Sequence, residues 1–160
     1  MKSYFWQILT LGIIIALSGS CKKTSEQKAR TPEKPKLQIV VISRDDSTAG
    51  ISEGWTLSSK GMLIHWKRYL DSGLFDENPV RVDSQKALNI IDSLKQTGIL
   101  QTKLKASGNI VYHLRYKCDG RVTHISWDEK TSLPSAFVQW RKRTLAWCQK
   151  MKTQSKHPAR

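Results

Sequence analysis

The dipeptide Asp119-Gly120 constrains this chain more than any other feature, because it separates two runs of alternating residues, Asn109 to Cys118 and Arg121 to Trp127. An aspartate followed by a glycine that accepts positive φ is the chemistry of a two-residue β-hairpin turn. With that loop, Tyr112 faces Trp127, Leu114 faces Ile125, Tyr116 faces Thr123 and Cys118 faces Arg121. That side, with Ile110, is the core side, since the side-chain period of a strand is two. The other side carries Val111, His113, Arg115, Lys117, Val122, His124 and Ser126, the composition of a sheet surface turned to water.

Further elements follow by the same reasoning. Leu37 to Ser43 is short, apolar and rich in β-branched residues, as a buried strand is, and Arg44 to Gly50 reads as a polar loop. A second hairpin spans about Glu53 to Ser59 and Met62 to Tyr69. A Lys60-Gly61 loop pairs Trp55 with Trp66, Leu57 with Ile64 and Ser59 with Met62; the alternative is a three-residue bulged turn, Ser59-Lys60-Gly61. The first register leaves Gly54, Thr56, Ser58, Leu63, His65 and Lys67 on the non-core side. Asp71 to Arg81, with glycine, proline and acids, reads as a connector.

Asp83 or Ser84 then caps a helix that runs to about Thr97, with Ala87, Leu88, Ile91 and Leu94 at helical spacing and Gly98 as its left-handed end. Ile99 and Leu100 fold back beneath it. The last helix is expected to begin at a Ser132 cap with Pro134 in its first turn, and carries Leu133, Phe137, Trp140, Thr144, Trp147, Cys148 and Met151 as its apolar stripe. Trp55, Trp66, Trp127, Trp140 and Trp147 all fall on expected core faces. The fold class is therefore α+β: an antiparallel sheet of two hairpins plus a first strand, with two helices packed on one face.

The charge is unevenly distributed. The formal charge of +14 belongs mostly to the ends: residues 22–36 hold six basic and two acidic residues, 141–160 hold seven basic and none acidic, and the body between is near neutral. On an exported chain, which the N-terminal stretch described next indicates, nucleic acid is scarce, so the expected partner of such ends is an anionic lipid surface or acidic envelope polymer, with simple solvation of the ends as the alternative. Arg141, Lys142, Arg143, Lys150 and Lys152 are the candidate contacts on the last helix.

The N-terminal stretch has one lysine, an apolar run from Phe5 to Leu17, and small residues ending at Cys21, the build of a secretory signal. As a helix that run reaches roughly 20 Å, short of the ~30 Å hydrocarbon core. Leu17-Ser18-Gly19-Ser20-Cys21 resembles the lipobox of bacterial lipoproteins, which implies that the Cys21 thiol receives a diacylglycerol and becomes the mature, acylated N-terminus; an ordinary secretion signal is the alternative. The expected organisation is a signal peptide over 1–20, an acylated cysteine and flexible basic tether over 21–36, one domain over 37–152 and a frayed basic tail over 153–160. By the sorting rule of enterobacterial lipoproteins, Lys22 after the cysteine implies an outer-membrane address facing the periplasm.

Two cysteines remain, Cys118 on a core-facing strand position and Cys148 on the buried helix stripe. A bridge between them would close a loop of about thirty residues, worth ~3–4 kcal/mol in the chain-entropy account; two separately buried thiols are the alternative. No nucleophile elbow, phosphate-cradling glycine loop or paired helical histidines occurs, so the expectation is no catalysis, no cofactor and no small-molecule substrate. His113 and His124 sit diagonally on the water-facing side of the hairpin, and His65 is placed where it can share that face, but without a carboxylate or cysteine at ligand spacing no metal site is assigned. Asp45, Asp46, Asp76 and Glu77 lack the spacing of a calcium loop.

Ser47-Thr48-Ala49-Gly50-Ile51-Ser52-Glu53-Gly54-Trp55-Thr56-Leu57, the Gly61 turn and Ile64-His65-Trp66 resemble the opening of a family of uncharacterised bacterial lipoproteins. Gly108 to Tyr112 and Thr123 to Trp127 resemble its second half. The order of elements is more remotely similar to emfourin-type protein inhibitors of secreted metalloproteases. The resemblance implies a lipid-anchored envelope protein with a non-catalytic protein-interaction domain, inhibitor-like in its most specific version, whose partners are the membrane and an unidentified envelope protein. The alternative is a structural envelope protein that binds anionic lipid or cell-wall polymer through its tether and last helix.

Overall fold

A computed structural model describes residues 36–73 and 75–156. Residues 1–35, which hold the expected signal peptide, Cys21 and nearly all of the expected tether, and residues 157–160 lie outside the described residues. The described part is an α+β fold in which six antiparallel strands form one open sheet. The strands are β1 (Gln38–Asp46), β2 (Ile51–Ser58), β3 (Met62–Tyr69), β4 (Phe75–Arg81), β5 (Ile110–Cys118) and β6 (Arg121–Trp127), arranged β4-β3-β2-β1-β5-β6. Helix α1 (Ser84–Lys95) and helix α2 (Ser135–Lys156) pack against it, and a 3-10 turn at Ile99–Gln101 follows α1.

The Asp119-Gly120 hairpin has the register its turn chemistry dictates, from Tyr112 opposite Trp127 to Cys118 opposite Arg121. Both loop residues take positive φ, 51° and 73°, which matches the right-handed twist of the strands. The first hairpin closes instead through Ser59-Lys60-Gly61, with Gly61 at φ 76°. Leu57 therefore faces Leu63, Thr56 faces Ile64, Trp55 faces His65 and Gly54 faces Trp66. This one-residue difference from the two-residue loop turns every side chain of β3 over. Leu63 and His65 face the helices, while Ile64 and Trp66 face away. Trp66 is thus not a core residue.

Three other expectations change. β1 continues through Arg44 to Asp46, where a loop was expected, because both neighbouring strands pair with it there. The connector 71–81 ends in a strand, β4, and Pro79 is tolerated because β4 lies at the sheet edge. The last helix starts at Ser135, with the Pro134 carbonyl accepting from Phe137 and Val138, and it extends to Lys156, past the expected end.

Each face of the sheet reads as rows of paired residues. On the helix side, Val80, Leu63, Leu57, Val40 and Tyr116 make one row, and His65, Trp55, Ile42, Leu114 and Ile125 the next. Leu63, Leu114, Ile91, Leu94, Ile99 and Phe137 are fully buried between sheet and helices. Each contributes ~1.5–3 kcal/mol through removal from water. The Asp83 carboxylate caps α1 by accepting from the Lys86 amide at 2.6 Å. Trp140 ties α2 to α1, its indole N–H donating to the Ile90 carbonyl at 3.0 Å.

The other face is different. Its rows run Pro79, Ile64, Thr56, Val41, Arg115, His124, then Glu77, Trp66, Gly54, Ser43, His113, Ser126, then Phe75, Arg68, Ser52, Asp45, Val111. Among the described residues no helix or loop packs over it.

Candidate functional site

The uncovered face holds the densest polar cluster of the domain. Pairing of β1 with β5 puts Asp45 one row from His113, and pairing of β5 with β6 puts Ser126 beside His113 and His124 on the diagonal. His113 Nε2 lies 3.0 Å from Asp45 Oδ2, and the Ser52 hydroxyl donates to Asp45 Oδ1 at 2.5 Å. On the other side of the ring, His113 Nδ1 is 2.8 Å from Ser126 Oγ and 3.2 Å from His124 Nε2. Ser126 Oγ is 3.4 Å from His124 Nε2.

One proton arrangement satisfies every group. With the His113 proton on Nε2, 3.0 Å from the Asp45 carboxylate, Nδ1 is an acceptor. Ser126 donates to that Nδ1, and His124 donates from Nε2 to Ser126. Partial burial pushes the His124 pKa down, and repulsion from His113, when that ring is protonated, and from the Arg115 guanidinium pushes it the same way.

Beside the cluster is a hollow of about 330 Å³ whose lining includes Trp66, Arg115, His113, His124, Ser43 and Asp45. Gly54 makes this shape possible. A Cβ there would sit 2.7 Å from Trp66 Cζ2 and 2.7 Å from the Ile42 carbonyl oxygen, so only glycine lets the indole lie across the strand. Phe75, 52% exposed, stands with its ring 6.1 Å from that of Trp66.

His65 does not join this cluster. It lies on the helix face, its Nδ1 3.0 Å from Lys152 Nζ and its ring 4.5 Å from that of Trp55, so three histidines cannot share one site. Among the described residues no three His, Cys, Asp or Glu side chains converge as a metal centre. Asp45 and His113 with Ser126 have the bonding order of an orienting acid, a base and a hydroxyl. The hollow, however, is walled by His124 and Arg115 and not by Ser126.

The basic residues of α2 divide. Lys142, Arg143 and Lys150 are exposed, as a surface-contact role requires. Arg141 and Lys152 instead turn toward the sheet, a correction to the expected five-residue basic surface. The Arg141 guanidinium lies over Tyr112 at 5.2 Å and Trp127 at 5.6 Å, and Lys152 Nζ lies 5.8 Å from the Trp55 ring. Arg141 Nη1 is buried with no hydrogen-bond partner. It borders a second groove of about 330 Å³ that also meets Arg44, Glu53 and Trp55. Arg44 is held by Asp46 at 2.9 Å and Glu53 at 3.8 Å.

Cys118 and Cys148 are both free thiols, so the bridge weighed from the sequence is not formed in the structure. Facing the same layer was not enough: Cys118 ends β5 beside the hairpin turn, whereas Cys148 is in mid-α2, sealed in the core. Burial pushes the Cys148 pKa up to about 12. The acids at 45, 46, 76 and 77 are spread over both faces and two strands. No helix among the described residues is long and apolar enough to cross a membrane. No protein-family model and no curated protein matches the chain.

Proposed function

We propose that this is a lipid-anchored protein of the bacterial cell envelope, acylated at Cys21 and held at the outer membrane facing the periplasm, whose domain docks another envelope protein without catalysing a reaction. The observation that carries the reading is the uncovered sheet face. Val41, Ile64 and Trp66 are only partly buried there and Phe75 is exposed, forming an apolar band in a six-stranded sheet that the helices cover from the other side. Such a band, bordered by polar residues, is the composition of an interaction surface. Arg68, Arg81, Arg115 and Lys117 outnumber Asp45 and Glu77 on this face, so the partner surface is acidic. The resemblance to metalloprotease inhibitors makes a secreted protease the first specific partner to assay.

The acylated chain in detergent, used as bait on envelope extract, is expected to capture a discrete protein. Capture is expected to survive in Lys142→Gln/Arg143→Gln/Lys150→Gln and to be lost in Trp66→Lys/Phe75→Glu. The reverse pattern overturns the reading. It would favour the second one, attachment to anionic lipid or wall polymer through the tether and helix, which the exposure of those three α2 side chains supports.

A further inference from the structure

We propose that His113, His124 and Ser126 form an open binding site for a divalent transition-metal ion that favours imidazole ligands, Cu(II) before Zn(II), with Asp45 as the outer group that orients His113. The three donor atoms, His113 Nδ1, His124 Nε2 and Ser126 Oγ, stand 2.8, 3.2 and 3.4 Å apart. At ~2.0–2.1 Å from the ion, tetrahedral ligands stand about 3.3 Å apart and the neighbouring ligands of a tetragonal Cu(II) about 2.9 Å apart, so the trio already has the spacing of one face of a site of either geometry. The donors need not move apart to admit the ion.

The second argument is the Asp45–His113 bond. A metal-ligating imidazole commonly donates its other N–H to a carboxylate, which sets the tautomer and raises the basicity of the ligating nitrogen. Here His113 Nε2 stands 3.0 Å from Asp45 Oδ2, placed for that contact, and the Ser52 hydroxyl donates to Asp45 in turn. The Nδ1 lone pair is thereby committed to the side where His124 and Ser126 are. On binding, the His124 proton leaves Nε2 for solvent and Nδ1 takes one up, so the imidazole remains neutral and no net proton is released from it.

The adjoining hollow leaves room for water or another ligand at the remaining positions. A site of two imidazoles and a hydroxyl ranks first-row metals in the Irving–Williams order, which puts Cu(II) first. Arg115, paired across the strands with His124, works against the ion's charge, while Asp45 offsets it. This site stands independently of the docking reading above.

The test is titration of the full acylated chain in detergent with Cu(II) and with Zn(II), in a Cys118→Ser/Cys148→Ser background that removes the thiols. One equivalent of Cu(II) is expected, with electron-paramagnetic-resonance coupling to two imidazole nitrogens. His124 is exposed, so His124→Ala leaves the fold intact; it is expected to remove one nitrogen coupling and weaken binding by about tenfold or more, and Asp45→Asn to weaken it by ~10–100-fold. His65→Ala and His157→Ala are expected to change neither. Binding that is unaltered in His124→Ala, or that falls only with His65→Ala or His157→Ala, overturns the proposal.

Discussion

Replacing Gly54 by alanine tests how the uncovered face is built. The new Cβ would stand 2.7 Å from the Ile42 carbonyl oxygen, 2.7 Å from Trp66 Cζ2 and 2.8 Å from Ser43 Cβ. The carbonyl and Ser43 belong to β1, which is paired on both sides and cannot retreat without loosening two ladders. The indole can swing outward, but it then loses its place across the strand. Overpacking of this kind costs ~1–3 kcal/mol. Removing a glycine from a strand interior returns ~0.5–1 kcal/mol of backbone entropy, so with the overpacking cost at the middle of its range the net loss is about 1 kcal/mol. Urea unfolding followed by tryptophan fluorescence measures it. Combining the change with Trp66→Ala in a double-mutant cycle is expected to give a coupling of ~0.5–1 kcal/mol, since the indole contact disappears while the carbonyl contact stays. Gly54→Ala within ~0.5 kcal/mol of the wild type, or strictly additive effects, would refute the packing argument.

Other consequences are as direct. With its pKa pushed up to about 12 inside the core, Cys148 is expected to resist thiol reagents until the domain unfolds, while the partly exposed Cys118 reacts in the native state; equal labelling of both under native conditions would contradict this. Asp83→Ala removes the cap of α1 and is expected to cost ~1 kcal/mol in denaturant unfolding, with Asp83→Asn nearly neutral. The lowered pKa of His124 means that the folded state binds fewer protons there than the unfolded one. Stability from this group is present above its ordinary value of 6.5 and is lost as pH falls through the lower folded value. Thermal melts of His124→Gln between neutral and mildly acid pH are expected to show a shallower decline than the wild type, and parallel declines would argue against it.

What the sequence made legible follows from where the information sits. The Asp119-Gly120 hairpin was readable in full because its register is set by two adjacent residues, one of which needs positive φ. Ser59-Lys60-Gly61 serves a two- or a three-residue loop equally well, and that single ambiguity decided whether His65 or Trp66 faced the helices. β4 was hidden because an edge strand tolerates Pro79 and a run of acids that an inner strand would reject. At the site, the diagonal of His113 and His124 followed from the hairpin alone. Asp45 did not, since its approach to His113 depends on β1 pairing with β5 across more than sixty intervening residues. Gly54 carries the one local signal that was available: a glycine in mid-strand marks a close approach, here that of Trp66.

The uncovered sheet face is proposed as the working surface of the domain. Site-specific photo-crosslinking in living cells tests this most directly, with the photoreactive residue at Ile64 or Phe75 on that face and at Lys142 or Lys150 on the outer side of α2. A discrete adduct of higher mass from Ile64 and Phe75, absent from Lys142 and Lys150, is the predicted result; adducts from α2 with none from the sheet face would contradict it.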